Sequence, residues 1–410
     1  MSRTVLAIPA ELSVENGASG LVTAQFQSVL DAARDAEGAR VVVPAGTYRV
    51  GSIRLYSDTE LHLQEGTRIQ GSDDVADYTD WDVSTTLAYT LDPEIIRIQS
   101  IPAHYVKALI TAADAENVAI TGEAGSVIDG VDCTDPAGEE GFRGAMLIRM
   151  CRCQNVTLTG YTVERAANWS HQMDSCDNIV AENVTILGGH DGFNVHHCNN
   201  VTIRRCTIKT GDDCVAGFDA RNVLVDDCLL NTACNAIRLG CANLLVSKCR
   251  FVGPGEYSHI LDGGYHMHAA VKYYSPVGDA YRDDACNWRL VDCSFENPGR
   301  LLNYDFGSPR GYMTERPLLD VHFQDCTVKG ATMTSFFKGS DDAPAMLEFR
   351  NCELEYAPDA DSAGKPFVQM NEADALLQEN VTYACASGES LRGARVVEQS
   401  EVVAEVLEKK

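Results

Sequence analysis

From Asn155 onward, apolar residues alternate with polar ones in short segments that return at a nearly fixed interval. "NVTLTGYTV" at Asn155 is followed by "NIVAENVTI" at Asn178, "NVTIRRCTI" at Asn200, "NVLVDDCLL" at Asn222, "NLLVSKCRF" at Asn243 and "NWRLVDCSF" at Asn287. Successive starts lie 23, 22, 22, 21 and 44 residues apart, the last interval being two repeats. In most copies the apolar residues take the second, fourth and ninth places, a strand period and not a helical one. One short-stranded coil every 22 residues or so predicts an all-β, single-stranded parallel β-helix. The recurrent Asn suits a turn in which its amide bonds to backbone and to the Asn of the next coil. Cys206, Cys228, Cys249, Cys293, Cys326 and Cys352 share the seventh place and are expected to form a buried column.

One stretch has the other period. "AQFQSVLDAARDAEG" puts Phe26, Val29, Leu30 and Ala33 on one helical face, with Gly38 as a stop. Such a helix would cap the open end of the coils. The organisation expected is an N-terminal segment with a capping helix over 1–40, the β-helix over 41–385, and a charged tail over 386–410.

Composition narrows the function. A formal charge of −26 on 410 residues disfavours nucleic acid, anionic membranes and long polyanions. Pro9 and Glu11 interrupt the N-terminal apolar stretch, and sixteen cysteines occur without a C-x-x-C pair. Reduced thiols and a cytoplasmic location are the expectation. Nothing here sets the oligomeric state.

The repeat also aligns the candidate chemistry. Thirteen residues after each Asn stand Asn168, Asp191, Asp213 and Asn235, which are expected to stack, with Asp212 beside Asp213. Neighbouring parallel strands lie about 4.8 Å apart, so three carboxylates would share a small volume. Gly192, Cys214 and Ala236 at the next place are expected to leave room for a cleft. Crowded like charges raise some carboxyl pKa values, which suits acid–base chemistry. An acidic turn or a calcium site is the alternative reading.

These residues carry a resemblance. "GHDGFNV" with Asp191 and the intact Gly211-Asp212-Asp213 resemble the catalytic motifs of glycoside hydrolase family 28, the polygalacturonase family of right-handed parallel β-helices. "VVVPAGTYRVGSIRLYSDTELHLQEGTRIQGSDDVADY" resembles the family's N-terminal coils, and "AANWSHQMDSC" its segment bearing a cleft-side tryptophan, here Trp169. The resemblance implies inverting hydrolysis of a pectic or related oligosaccharide, with Asp212 as acid, Asp191 and Asp213 activating water, and no metal or organic cofactor. Asn235 stands where the family has a histidine, and "HAAVKYY" keeps Lys272 but has Ala270 at an arginine position. Arg238 and His190 are the candidates to replace those groups. His266, His268, Tyr273 and Tyr274 give "GGYHMHAAVKYY" a sugar-binding composition, with His268 among the expected contacts. A lyase or a non-catalytic glycan-binding protein on the same fold are the competing readings.

Overall fold

The computed structural model describes residues 4–36, 38–84, 105–276, 281–308, 313–385, 391–393 and 395–396. Its strands form one continuous ladder in which each pairs in parallel with its counterpart one coil away. A central coil has three sides. Asn199–Arg204, Thr207–Thr210 and the first half of Val215–Asp226 pair back onto Asp177–Glu182, Thr185–Gly188 and Phe193–His196. Alternation turns Val201, Ile203 and Ile208 inward, and these join a single core running along the coils.

The repeated Asn residues do what their position predicts. Asn155, Asn178, Asn200, Asn222, Asn243 and Asn287 all have left-handed backbone, which an asparagine tolerates better than most residues. Each Nδ2 donates to the Oδ1 of the previous member, as from Asn200 to Asn178 and from Asn222 to Asn200, both at 3.0 Å. The ladder also reaches Asn117, which accepts from Asn155 at 2.9 Å. The six-cysteine column is buried as expected. Its thiols donate to main-chain carbonyls, as from Cys249 to Ser247 at 3.3 Å.

The helix Thr23–Asp35 buries Phe26, Leu30 and Ala33 against the first coil, with Val29 partly buried beside them. Gly38 adopts positive φ and its N–H caps Ala33 C=O at 3.0 Å. A strand the periodicity did not predict, Thr4–Ala7, precedes the helix and pairs with Ala39–Val43. At the other end, Leu391–Arg392 and Arg395–Val396 extend the ladders past residue 385. Residues 386–390, 394 and 397–410 of the expected tail lie outside the described residues. No helix among the described residues is long and apolar enough to cross a membrane.

Candidate active site

All three aspartates sit at one corner of consecutive coils. Asp191 lies between Thr185–Gly188 and Phe193–His196, and Asp212 and Asp213 lie between Thr207–Thr210 and Val215–Asp226. The Gly192 N–H donates to Asp213 C=O at 2.9 Å and the Cys214 N–H to Asn235 C=O at 3.1 Å, so Asp191, Asp213 and Asn235 stack as expected. Asn168 does not join them. The Ser170 N–H donates to Asp191 C=O at 2.8 Å, which puts Trp169 on that level instead. Register explains the shift: Thr162 pairs with Thr185, 23 residues on, whereas His171 pairs with Phe193, 22 on.

The small residues at the following place serve the core and not the cleft. A Cβ on Gly192 would lie 2.5 Å from Cys214 O, and Cys214 and Ala236 are fully buried. Gly211 is held closer still, since a Cβ there would meet Ser258 O at 2.1 Å and Gly189 O at 2.7 Å. That approach, with hydroxyl bonds from Thr210 (2.8 Å) and Thr232 to Asp212 C=O, fixes the main chain beneath the aspartate pair.

One oxygen from each of Asp191, Asp212 and Asp213 lies within 4.8 Å of the others. Asp191 and Asp213 are 1% exposed, while the Asp212 side chain keeps 13%. Both oxygens of each buried member have a partner. Asp191 accepts from Asn194 Nδ2 at 2.6 Å and from the Asp213 N–H at 3.3 Å. Asp213 accepts from Asn235 Nδ2 at 2.7 Å on one oxygen and from Arg238 Nε on the other. Arg238 in turn lies 4.1 Å from the Tyr274 ring centroid. It is therefore a counter-ion to Asp213, with its Nη2 3.9 Å from Asp191.

A cation the sequence reading missed sets the third charge. Arg143, whose side chain is 4% exposed, donates from Nη2 to Asp212 at 2.8 Å and from Nε to Glu140 at 2.7 Å. It comes from a loop between Val127–Asp129 and Met146–Cys151 that has no repeat counterpart, so no spacing marked it. Burial opposes charge on Asp212, but Arg143 and Arg238 outweigh it and hold that carboxyl well below the usual range. Burial and the two neighbouring carboxylates push Asp191 well up. The sequence-based expectation put the proton on Asp212. This geometry favours the proton on Asp191 instead, because crowding acts on both groups and only Asp212 is bonded directly to Arg143. Glu139 below is pushed up to about 7 by burial.

The remaining candidates divide. His190 is 6% exposed, burial with Arg143 nearby pushes it down to about 3, and it is a neutral imidazole beside Phe142. Lys272 pairs in register with Arg238, and burial lowers its pKa. His268 lies near Cys234, Nδ1 to Sγ 3.8 Å, at the edge of the site. Tyr273 is excluded: it points into the core against Trp288 and Tyr304, its hydroxyl donating to Arg316 C=O at 2.7 Å. Ala270 is fully buried in the core. Trp169, 5% exposed, packs edge-on to His196 within a cluster with Tyr105, Met146 and Phe218. Among the described residues, two groups bring metal-type donors within 4.8 Å of one another, the aspartate trio and Asp212–Cys234–His259. In the trio, Arg143 and Arg238 already supply counter-charge.

The model of glycosyl hydrolases family 28 matches residues 35–236, a span that contains all three aspartates. Residues 35–236 thus carry the sequence pattern of that family. A relative, the exo-poly-alpha-D-galacturonosidase of Dickeya chrysanthemi, is 31% identical over 137 residues, 32% of this chain and 21% of the relative's length. The chain also shares its fold with solved structures. The hyperthermoactive exopolygalacturonase of Thermotoga maritima superposes with a TM-score of 0.63 at 18% identity, over 93% of this chain and 91% of the other. The family 28 exopolygalacturonase of Yersinia enterocolitica gives 0.63 at 18%, over 96% and 78%. The architecture is the right-handed parallel β-helix of those enzymes.

Proposed function

We propose that the chain hydrolyses a glycosidic bond of a short galacturonate-containing oligosaccharide with inversion, Asp212 serving as acid and Asp191 and Asp213 as the groups that orient water. One observation carries the reading. Of three carboxylates gathered within 4.8 Å, only Asp212 keeps side-chain exposure, 13%, while Asp191 and Asp213 are buried beside it at 1%.

The trio is tighter than the separation of about 6.5 to 9.5 Å usual for an inverting pair. Hydrogen bonding still favours a water nucleophile over a covalent intermediate. Each oxygen of Asp213 and Asp191 already accepts a bond, from Asn235, Arg238, Asn194 and the Asp213 main chain, and lone pairs remain for a water proton, but both carboxylates are 1% exposed and neither is presented for attack on the anomeric carbon. In the reaction the Asp212 proton goes to the leaving oxygen as the glycosidic bond breaks. Water forms the new bond to the anomeric carbon, and its proton passes to the buried pair. Substrate entry expels water from around Asp212 and disfavours its charge, which draws the proton resting on Asp191 onto it. Likeness to an exo-poly-alpha-D-galacturonosidase supports galacturonate at the cleaved position and action from a chain end. The net charge of −26 supports short fragments over long polyanions.

Incubation with oligogalacturonides of two to six units is the test. New reducing ends without an ultraviolet-absorbing unsaturated product are expected. An absorbing product would instead indicate a lyase, and binding without release of reducing ends a glycan-binding protein.

A further inference from the structure

On the sheet that carries the site, Thr111, Arg149, Gln172 and Asn194 occupy one register row across four adjacent strands. Their neighbours Ile148 and Met150 belong to the core, so the row lies on the outer side of the sheet. It is nevertheless buried. Arg149 is 0% exposed and, among the described residues, none of its three guanidinium nitrogens has a hydrogen-bond partner. The same holds for both amide atoms of Gln172, for Oδ1 of Asn194, for Oγ1 of Thr111 and for Nδ1 of His196. Buried polar groups are paired almost without exception, and an unpaired buried cation is among the costliest arrangements a fold can carry. A continuous strip of such groups calls for a polar partner along its whole length.

We infer that this strip binds the carboxylate and hydroxyls of a hexuronate unit, with Arg149 as the carboxylate ligand. Arg149 offers a planar fork of donors and no acceptor, which matches a carboxylate. Gln172, Asn194 and His196 offer mixed donors and acceptors, which match hydroxyls. An apolar ligand would satisfy none of them. The strip runs directly into the catalytic corner, because Nδ2 of Asn194 holds Asp191 at 2.6 Å. Arg149 is two strands away from Asn194, about 10 Å at the usual strand spacing, so a ligand on it lies alongside the bond at Asp212 without touching it. The inference rests on the proposed uronate specificity and places a second recognition point for it outside the family motifs quoted above.

The test is Arg149→Met, with turnover blocked by Asp212→Asn in both backgrounds. Calorimetric Kd values for trigalacturonate and for its neutral trigalactoside counterpart are compared, alongside thermal unfolding without ligand. Trigalacturonate binding should weaken by at least ~10-fold, the loss of one charge-assisted contact, and trigalactoside binding should not change. Tm without ligand should stay level or rise, because an orphan charge has been replaced by an apolar side chain of similar length. Arg149→Lys, which keeps the charge but not the fork, should fall between. Equal trigalacturonate affinity in wild type and Arg149→Met overturns the inference, as does a large fall in Tm, which would make Arg149 a structural residue. Should the active chain fail to cleave galacturonides while Arg149-dependent binding persists, hydrolysis is refuted and the binding strip stands.

Discussion

Replacing Asp212 by asparagine should lower kcat on a galacturonide by about 10³-fold and leave the fold and KM nearly unchanged. The size follows from what is removed, since a positioned general acid contributes roughly 10² to 10⁴ in rate. The amide keeps the shape and still accepts from Arg143 through its carbonyl oxygen, but it has no proton to give the leaving oxygen. A substrate with a good leaving group, such as an aryl glycoside, should be far less affected. Near wild-type turnover on a poor leaving group would remove Asp212 from the role. The same assignment fixes a pH effect. Arg143, 2.8 Å away, lowers the Asp212 pKa. Arg143 lowers Asp191 as well, the group favoured to hold the proton in the free chain. Arg143→Met therefore lets the trio keep that proton further into alkali, moves the alkaline limb of kcat/KM to higher pH and raises the pKa of Asp212. Arg238 and His259 also lower this carboxyl and remain in the variant, so the limb moves only part of the way.

Arg238→Met should damage both stability and catalysis, and equally on charged and neutral sugars. From the sequence, Arg238 reads as a cation able to meet a substrate carboxylate, which predicts a loss confined to uronates. The structure gives it a different partner. Its Nε is bonded to Asp213, whose side chain is 1% exposed against 20% for the arginine. Removing one member of a buried pair leaves the other charge uncompensated, at a cost of about 3 to 5 kcal/mol. The same loss frees an oxygen of Asp213 and misplaces a group that orients water, for a fall in kcat of at least ~10²-fold. Denaturant unfolding and kcat/KM on matched galactoside and galacturonide substrates check this. Pairing Arg238→Met with Asp213→Asn should recover much of the stability and none of the activity. A loss on galacturonide alone, with unchanged stability, would return Arg238 to substrate recognition.

How much of this is legible in the chain depends on whether a residue sits inside the repeat. The 22-residue period exposes the coils, the Asn ladder, the cysteine column and the stacking of Asp191, Asp213 and Asn235, because each coil repeats the same physical demand at the same place. Trp169 and Asn168 exchange places because the coil that begins at Asn155 has one more residue than the next, and spacing alone does not say on which side of the corner that residue falls. Tyr273 has the composition of a sugar-stacking residue, but it alternates with Lys272 and so faces the core. Arg143 is invisible for a different reason. It lies in an excursion with no counterpart in other coils, and only the folded chain brings it to Asp212, 69 residues away. The orphaned Arg149 is equally hidden, since a missing partner has no sequence signature.

The central claim is that a water held by buried, hydrogen-bonded carboxylates attacks the anomeric carbon directly. Proton magnetic resonance of the first-formed product tests it most directly, with wild-type chain acting on an α-linked oligogalacturonide and spectra taken before mutarotation. Direct attack by water predicts that the new reducing end appears as the β anomer and relaxes toward the equilibrium mixture. An α anomer formed first would mean that a carboxylate acts as nucleophile despite its hydrogen bonds, and would contradict the claim.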